Sequence, residues 1–249
     1  MSPDLLSEHL VDVLDRLSGE DAVRFRGFVA RAALDRPVAV EVSEAAAVVR
    51  PYAWLLDRLG ADGVRLTSAG HLPPAVVTEA MDALGRRERW FGAANREYHT
   101  RPVLELRESA RRFGLVRKHR GVLLSTKVGS GLRADPVGLW WHVADRLPDA
   151  RTEAAADAGV LLLVAVASGT PLNSAKVNRL LRTGMASLGW RVGGTGAPLD
   201  QWQSFDAARD TWTALRRLGV LAEEDQGGSP APATVAGIQL ARAALRQRT

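Results

Sequence analysis

The sequence predicts a mainly α protein with small β-hairpins, organised as tandem winged-helix-like units. Three observations carry this expectation. Apolar residues recur at helical spacing through most of the chain, and short apolar runs between glycines read as strands. One grammar also occurs three times: a helix, a glycine with apolar residues, a turn, then Thr-x-x-Gly entering another helix. The copies are Leu59-Gly60 with Thr67 and Gly70, Phe113-Gly114-Leu115 with Thr126 and Gly129, and Leu218-Gly219-Val220 with Thr234 and Gly237. Glycine permits a left-handed helix exit, alternating apolar residues bury one hairpin face, and the threonine hydroxyl caps the next helix. The first copy has only a very short wing.

These breaks divide the chain into a helical pair at residues 1–40, a first winged-helix-like unit at 41–92, a central winged-helix unit at 93–148, and a C-terminal helical domain at 149–249 that carries the third unit. Ser2-Pro3-Asp4 reads as a helix start, with Leu6, Leu10, Val13 and Leu17 on one face. Ser18-Gly19-Glu20-Asp21 restarts a helix carrying Phe25, Phe28, Val29 and Ala32, and Arg36-Pro37 ends it. A helix from Ser43 should be kinked or divided by Pro51, then align Tyr52, Leu55, Leu56 and Leu59 before Gly60. Gly63 to Leu66 reads as a short strand, and Pro73-Pro74 opens a helix with Val76, Val77, Ala80, Met81 and Leu84. Trp90 and Phe91 are expected to plug a core.

The central unit opens with Thr100 and Pro102, and Val103, Leu106, Ala110 and Phe113 form its inward stripe. A strand at Leu115 to Arg117, the tip Lys118-His119-Arg120-Gly121 and a return at Val122 to Leu124 lead to Thr126. Asp135-Pro136 starts a further helix. Residues 151–169 read as a buried helix, apolar on nearly every side. Asn173 or Ser174 caps its successor, and residues 191–198 form a glycine-rich connector. Trp202, Phe205, Trp212 and Leu215 then follow helical spacing, a hairpin containing Glu223-Glu224-Asp225 comes next, and Thr234 to Leu245 closes the chain as a helix.

Charge is concentrated in the central unit. From Arg101 to Arg133 nine Lys and Arg stand against two acids, whereas the whole 249-residue chain has a net charge of +5. A localised cationic face is a candidate phosphate footprint. Arginine outnumbers lysine thirty to three, also in acidic regions, so the pI near 10.3 says less than the clustering. In a winged helix the helix before the hairpin can enter the major groove while the wing reaches phosphates. Arg107 and Arg111 are therefore expected to face the groove, with Arg101, Arg112, Arg117, Lys118, Arg120 and Lys127 completing the DNA-binding set. The competing account pairs these arginines with Glu105 and Glu108 on the surface. The acidic third wing would repel phosphates.

Enzyme classes find no support. His9, His71, His99, His119 and His142 lack metal-ligand spacing, and the chain has no cysteine for disulfides or thiolate sites. Gly193-Gly194-Thr195-Gly196 has no following Lys-Ser or Lys-Thr, and the Ser-Gly pairs lack a nucleophile elbow. No catalytic residue, metal or cofactor is expected. Asn95-Arg96-Glu97 either caps the recognition helix and braces the hairpin or belongs to another site. The N-terminus lacks a secretory pattern, and the longest apolar stretch, 158–167, is about half a membrane span. A cytoplasmic protein is expected.

Gly114-Leu115-Val116-Arg117 followed by Val122-Leu123-Leu124-Ser125-Thr126-x-x-Gly129 resembles the recognition-helix exit and wing of MarR-type winged-helix regulators over about thirty residues. The strings GVRLTSAGHLPPAVV, Asn95-Arg96-Glu97 with Thr100, PVLELRE, and GLVRKHRGVLLST with Asp135-Pro136 and Leu139-Trp140 resemble the C-terminal tail of bacterial proteins in the plasmid open-reading-frame-three-like group. That group's usual leading domain is not expected within these residues. The resemblance implies a bacterial, mobile-element setting and no particular activity. Duplex DNA is the expected partner, for a regulator or mobile-element accessory factor. The alternative is a protein-interaction scaffold that binds another protein or a second copy of itself.

Overall fold

A computed structural model describes residues 5–88, 90–221 and 233–247. Among them are eleven α-helices and one three-stranded antiparallel sheet, so the fold is mainly α with a small β-hairpin. No helix among the described residues is long and apolar enough to cross a membrane. The chain divides into two compact units, Met1–Val40 with Ala144–Thr249 (unit 1) and Glu41–Val143 (unit 2).

Unit 2 begins with α3 (Val42–Leu59), which follows α1 (Glu8–Arg16) and α2 (Gly19–Ala32) of unit 1. Pro51 lies inside α3 without dividing it. The helix ends at Gly60, φ +55, and β1 (Val64–Arg65), α4 (Pro74–Ala83), α5 (Arg101–Arg112), β2 (Val116–His119), β3 (Val122–Ser125), α6 (Lys127–Leu132) and α7 (Pro136–Ala144) follow. The sheet order is β1-β3-β2. Tyr52 of α3 and Phe113 at the end of α5 anchor the core, their rings 5.6 Å apart, and the Tyr52 hydroxyl lies 3.0 Å from Ser109 Oγ.

Residues 41–92 and 93–148, expected as separate winged units, share this one sheet. The two-residue β1 has no hairpin partner of its own, so its backbone pairs with β3, Val64 opposite Leu123 and Arg65 opposite Val122. The approach is close: a Cβ on Gly63 would stand 2.4 Å from the Leu123 carbonyl oxygen. The hairpin tip is also tighter than expected. Only Arg120 and Gly121 turn the chain, at φ +47 and +76, the positive pair that a two-residue hairpin demands. Lys118 and His119 consequently belong to β2, where successive side chains point to opposite faces.

Unit 1 is organised around α8 (Glu153–Ala167), buried continuously from Asp157 to Ala167. Around it pack α1, α2, α9 (Ser174–Ser187), α10 (Gln201–Arg217) and α11 (Val235–Ala244). The expected start at Ser2-Pro3-Asp4 lies outside the described residues. The cap is Ser7, whose Oγ accepts from Leu10 N, and Leu6 bridges to Arg246 instead of joining the helix. Asn173 caps α9, and a capping box of Asp200 and Gln203 opens α10. The glycine-rich connector is closed by a bridge between Arg191 and Pro198.

Two of the three repeats agree atom by atom. Thr126 Oγ1 donates to the Gly114 carbonyl and accepts from Gly129 N, while Thr126 N donates to Leu115 O. Thr234 does the same with Gly219 O, Gly237 N and Val220 O. A Cβ would stand 2.2 Å from Leu115 O at Gly129 and 2.6 Å from Val220 O at Gly237. Glycine at these places lets the capped helix lie against the backbone leaving the previous one. The Thr67 copy differs, because there Thr67 Oγ1 accepts from His71 N in a turn and starts no helix. Leu221 bridges to Ala233, and the acidic residues Glu223 to Asp225 lie outside the described residues.

Candidate nucleic-acid interface

The cationic balance belongs to unit 2. It carries sixteen Lys and Arg against eleven Asp and Glu, a net of +5, whereas unit 1 has seventeen of each. Since that equals the net charge of the chain, a polyanion meets its attraction in unit 2.

The eight candidate residues separate into three groups. Arg111, Arg117, Lys118, Arg120 and Lys127 are exposed and make no ion pair among the described residues. Arg101 is exposed but pairs with Glu105, Nε to Oε1 2.6 Å, one turn along α5. An exposed pair of this kind contributes about 0.3–0.5 kcal/mol and leaves the guanidinium able to exchange partners. Arg112 is half-buried on the same helix. Arg107 departs from expectation, since its side chain is only 17% exposed and its Nε donates to Glu97 Oε1 at 2.5 Å. Arg107 is a structural residue, and the outward face of α5 presents Arg111 with Leu104 and Glu108.

Glu97 explains why. Its side chain is fully buried on a 3-10 turn, Glu97–His99, where its second oxygen accepts from Leu72 N at 2.8 Å and lies 3.4 Å from His71 Nδ1. One carboxylate thus ties α5 to the segment that enters α4. Asn95-Arg96-Glu97, expected to cap α5 and brace the hairpin, instead joins α5 through Glu97 to the residues before α4. Thr100 also serves differently from a cap, because its hydroxyl donates to the Arg96 carbonyl and stiffens the same turn.

Strand alternation sorts the hairpin. Lys118 pairs with Leu123, which is buried, and Lys118 Nζ would stand 2.9 Å from a Cβ on Gly70, so its ammonium leans over the 67–70 turn. Arg117 and His119 take the other face, and Arg120 occupies the tip. Arg65 joins that outer face from β1, exposed and opposite Val122. Sequence reading omitted Arg65, although the alternation Val64-Arg65-Leu66 carried the signal of one outward cation. Phe91, expected to plug a core, is 99% exposed. Ala94 anchors that loop instead, buried at φ +46, with its carbonyl accepting from Thr78 Oγ1.

A second polar centre lies in unit 1. Asp157 on α8 is fully buried, accepts from Arg16 (2.6 Å) and Trp190 Nε1 (2.8 Å), and lies 3.1 Å from His9 Nε2. Burial opposes its ionisation, but His9, Arg16 and Trp190 outweigh that and hold the carboxyl below the usual aspartate range. The same hydrogen bond raises the Arg16 pKa. Sequence reading omitted Asp157, although one acid inside the otherwise apolar run 154–167 was the signal. With every contact directed to its own unit, the cluster has the form of a structural tie.

In comparisons with family models, curated proteins and solved structures, nothing matches this chain.

Proposed function

We propose that unit 2 is a winged-helix module that binds duplex DNA, with α5 as its groove-facing helix and β2–β3 as its wing, in a cytoplasmic regulator or mobile-element accessory protein. The observation that carries this reading is the set of five exposed cations with no ion pair among the described residues, Arg111, Arg117, Lys118, Arg120 and Lys127, on α5, the hairpin and the helix after it. The element order supports it: helix, short strand, two helices, then a hairpin whose second strand lies between the other two. On random duplex, Arg111 from α5 and Arg117 and Arg120 from the hairpin all contact phosphates under this reading. The resemblance of residues 114–129 to MarR-type wings is consistent with this reading.

The experiment is a titration of random duplex at several salt concentrations. Phosphate contacts make log affinity fall linearly with log salt, by about 0.9 per phosphate neutralised. Alanine at Arg117, Lys118 and Arg120 together lowers that slope under this proposal. A second reading, a protein-binding scaffold, draws on Trp202, which is 71% exposed on α10 of the electrically neutral unit 1. It gains ground if the chain ignores duplex DNA at low salt.

A further inference from the structure

We infer that the outer face of the three-stranded sheet is itself a contact for the phosphate backbone, and that Arg65 of β1 is one of its binding residues. The inference rests on the DNA-binding reading of unit 2 and adds to it a surface that neither α5 nor the hairpin tip provides.

The register carries the argument. Arg65, Val122 and His119 stand in one row across β1, β3 and β2, and Arg117 with Leu124 stand in the next row on the same face. Strands spaced about 4.8 Å apart put the Arg65 and His119 positions about 10 Å from each other. Arg117 and His119, two residues apart on β2, are separated by about 6.8 Å, the axial rise of two nucleotides on one strand. All three side chains are exposed, and no acid occurs anywhere in the three strands. Asp62, the nearest acid before β1, lies on the preceding turn. Val122 beside Arg65 and Leu124 beside Arg117 are half-buried, so a phosphate there meets guanidinium groups over a partly apolar floor, where charge is less screened than in open water. Lys118 is not part of this face, because its ammonium leans over Gly70 on the other side.

Arg65 supplies only its backbone to the sheet, so Arg65→Ala leaves the fold intact, which a thermal melt checks. Anisotropy of a labelled random duplex between 50 and 200 mM salt then gives the result. If the sheet face meets phosphates, Arg65→Ala weakens binding and lowers the salt slope by about 0.9, so that affinity changes about 3.5-fold less over that range. Arg65→Lys keeps the slope, and Arg117→Ala lowers it by a similar amount. If Arg65→Ala leaves the slope at the wild-type value while Arg111→Ala and Arg120→Ala lower it, the sheet face is not a contact and the DNA reading stands without it. If the wild-type chain shows no salt-dependent binding, the DNA reading fails and this inference fails with it.

Discussion

Glu97 Oε1 accepts a hydrogen bond from Arg107 Nε at 2.5 Å inside unit 2, and this pair fixes the placement of the helix that presents Arg111. A buried pair is costly to break from one side, because the surviving charge loses its partner. Glu97→Ala is expected to destabilise unit 2 by about 3–5 kcal/mol. Combining it with Arg107→Leu recovers part of the loss, as urea unfolding of the single and double variants would show.

Arg107→Ala separates structure from binding. Because its guanidinium is engaged with Glu97, its removal lowers the unfolding midpoint and leaves the salt slope of duplex binding unchanged at temperatures where the variant is folded. Arg111→Ala does the reverse, lowering the slope by about one with little effect on stability. A lowered slope for Arg107→Ala would return that residue to the interface.

The repeated threonine–glycine cap offers a packing test. Gly129→Ala and Gly237→Ala each push a methyl into a backbone carbonyl, at 2.2 and 2.6 Å. Each is expected to destabilise its own unit by about 1–3 kcal/mol. Gly131→Ala, where a Cβ meets nothing within 4 Å, is the control in thermal unfolding.

Asp157 makes unit 1 acid-sensitive. Its carboxyl sits below the usual range despite burial, because of His9, Arg16 and Trp190. A folded pKa below the unfolded value of about 3.9 contributes stability that is complete above that pH and is lost as pH falls through the folded pKa. Asp157→Asn should therefore flatten the stability curve below about pH 4. At neutral pH its cost should fall at or below the lower end of about 3–5 kcal/mol, since Arg16 is 29% exposed and keeps Asp12 as a partner. Chemical unfolding from pH 2 to 7 reads both effects.

Helices were the most legible part of the chain, because their signals are local: the Val103, Leu106, Ala110 and Phe113 stripe, the Pro73-Pro74 start and the Asn173 cap each sit within one element. The Thr-x-x-Gly pattern was legible for the same reason, each threonine binding backbone a few residues from its own helix. What escaped depends on distant pairing. That β1 completes the sheet of a hairpin sixty residues away follows from β3 having a free edge, which spacing does not reveal.

The candidate site divides along the same line. Exposure of Arg111, Arg117, Arg120 and Lys127 could be read from a charge run flanking an apolar stripe. The capture of Arg107 could not, since Glu97 reaches it only through the 3-10 turn that Thr100 braces. Turn chemistry decided the hairpin: with Arg120 and Gly121 alone forming the tip, Lys118 and His119 fall on opposite faces.

The central claim is that exposed cations of unit 2 hold duplex DNA through its phosphates, and salt titration of the whole chain against a random duplex tests it most directly. Five exposed cations give an expected log–log slope of about −4 to −5 between 50 and 200 mM salt. Absence of binding at 50 mM, or a slope near zero, would contradict it.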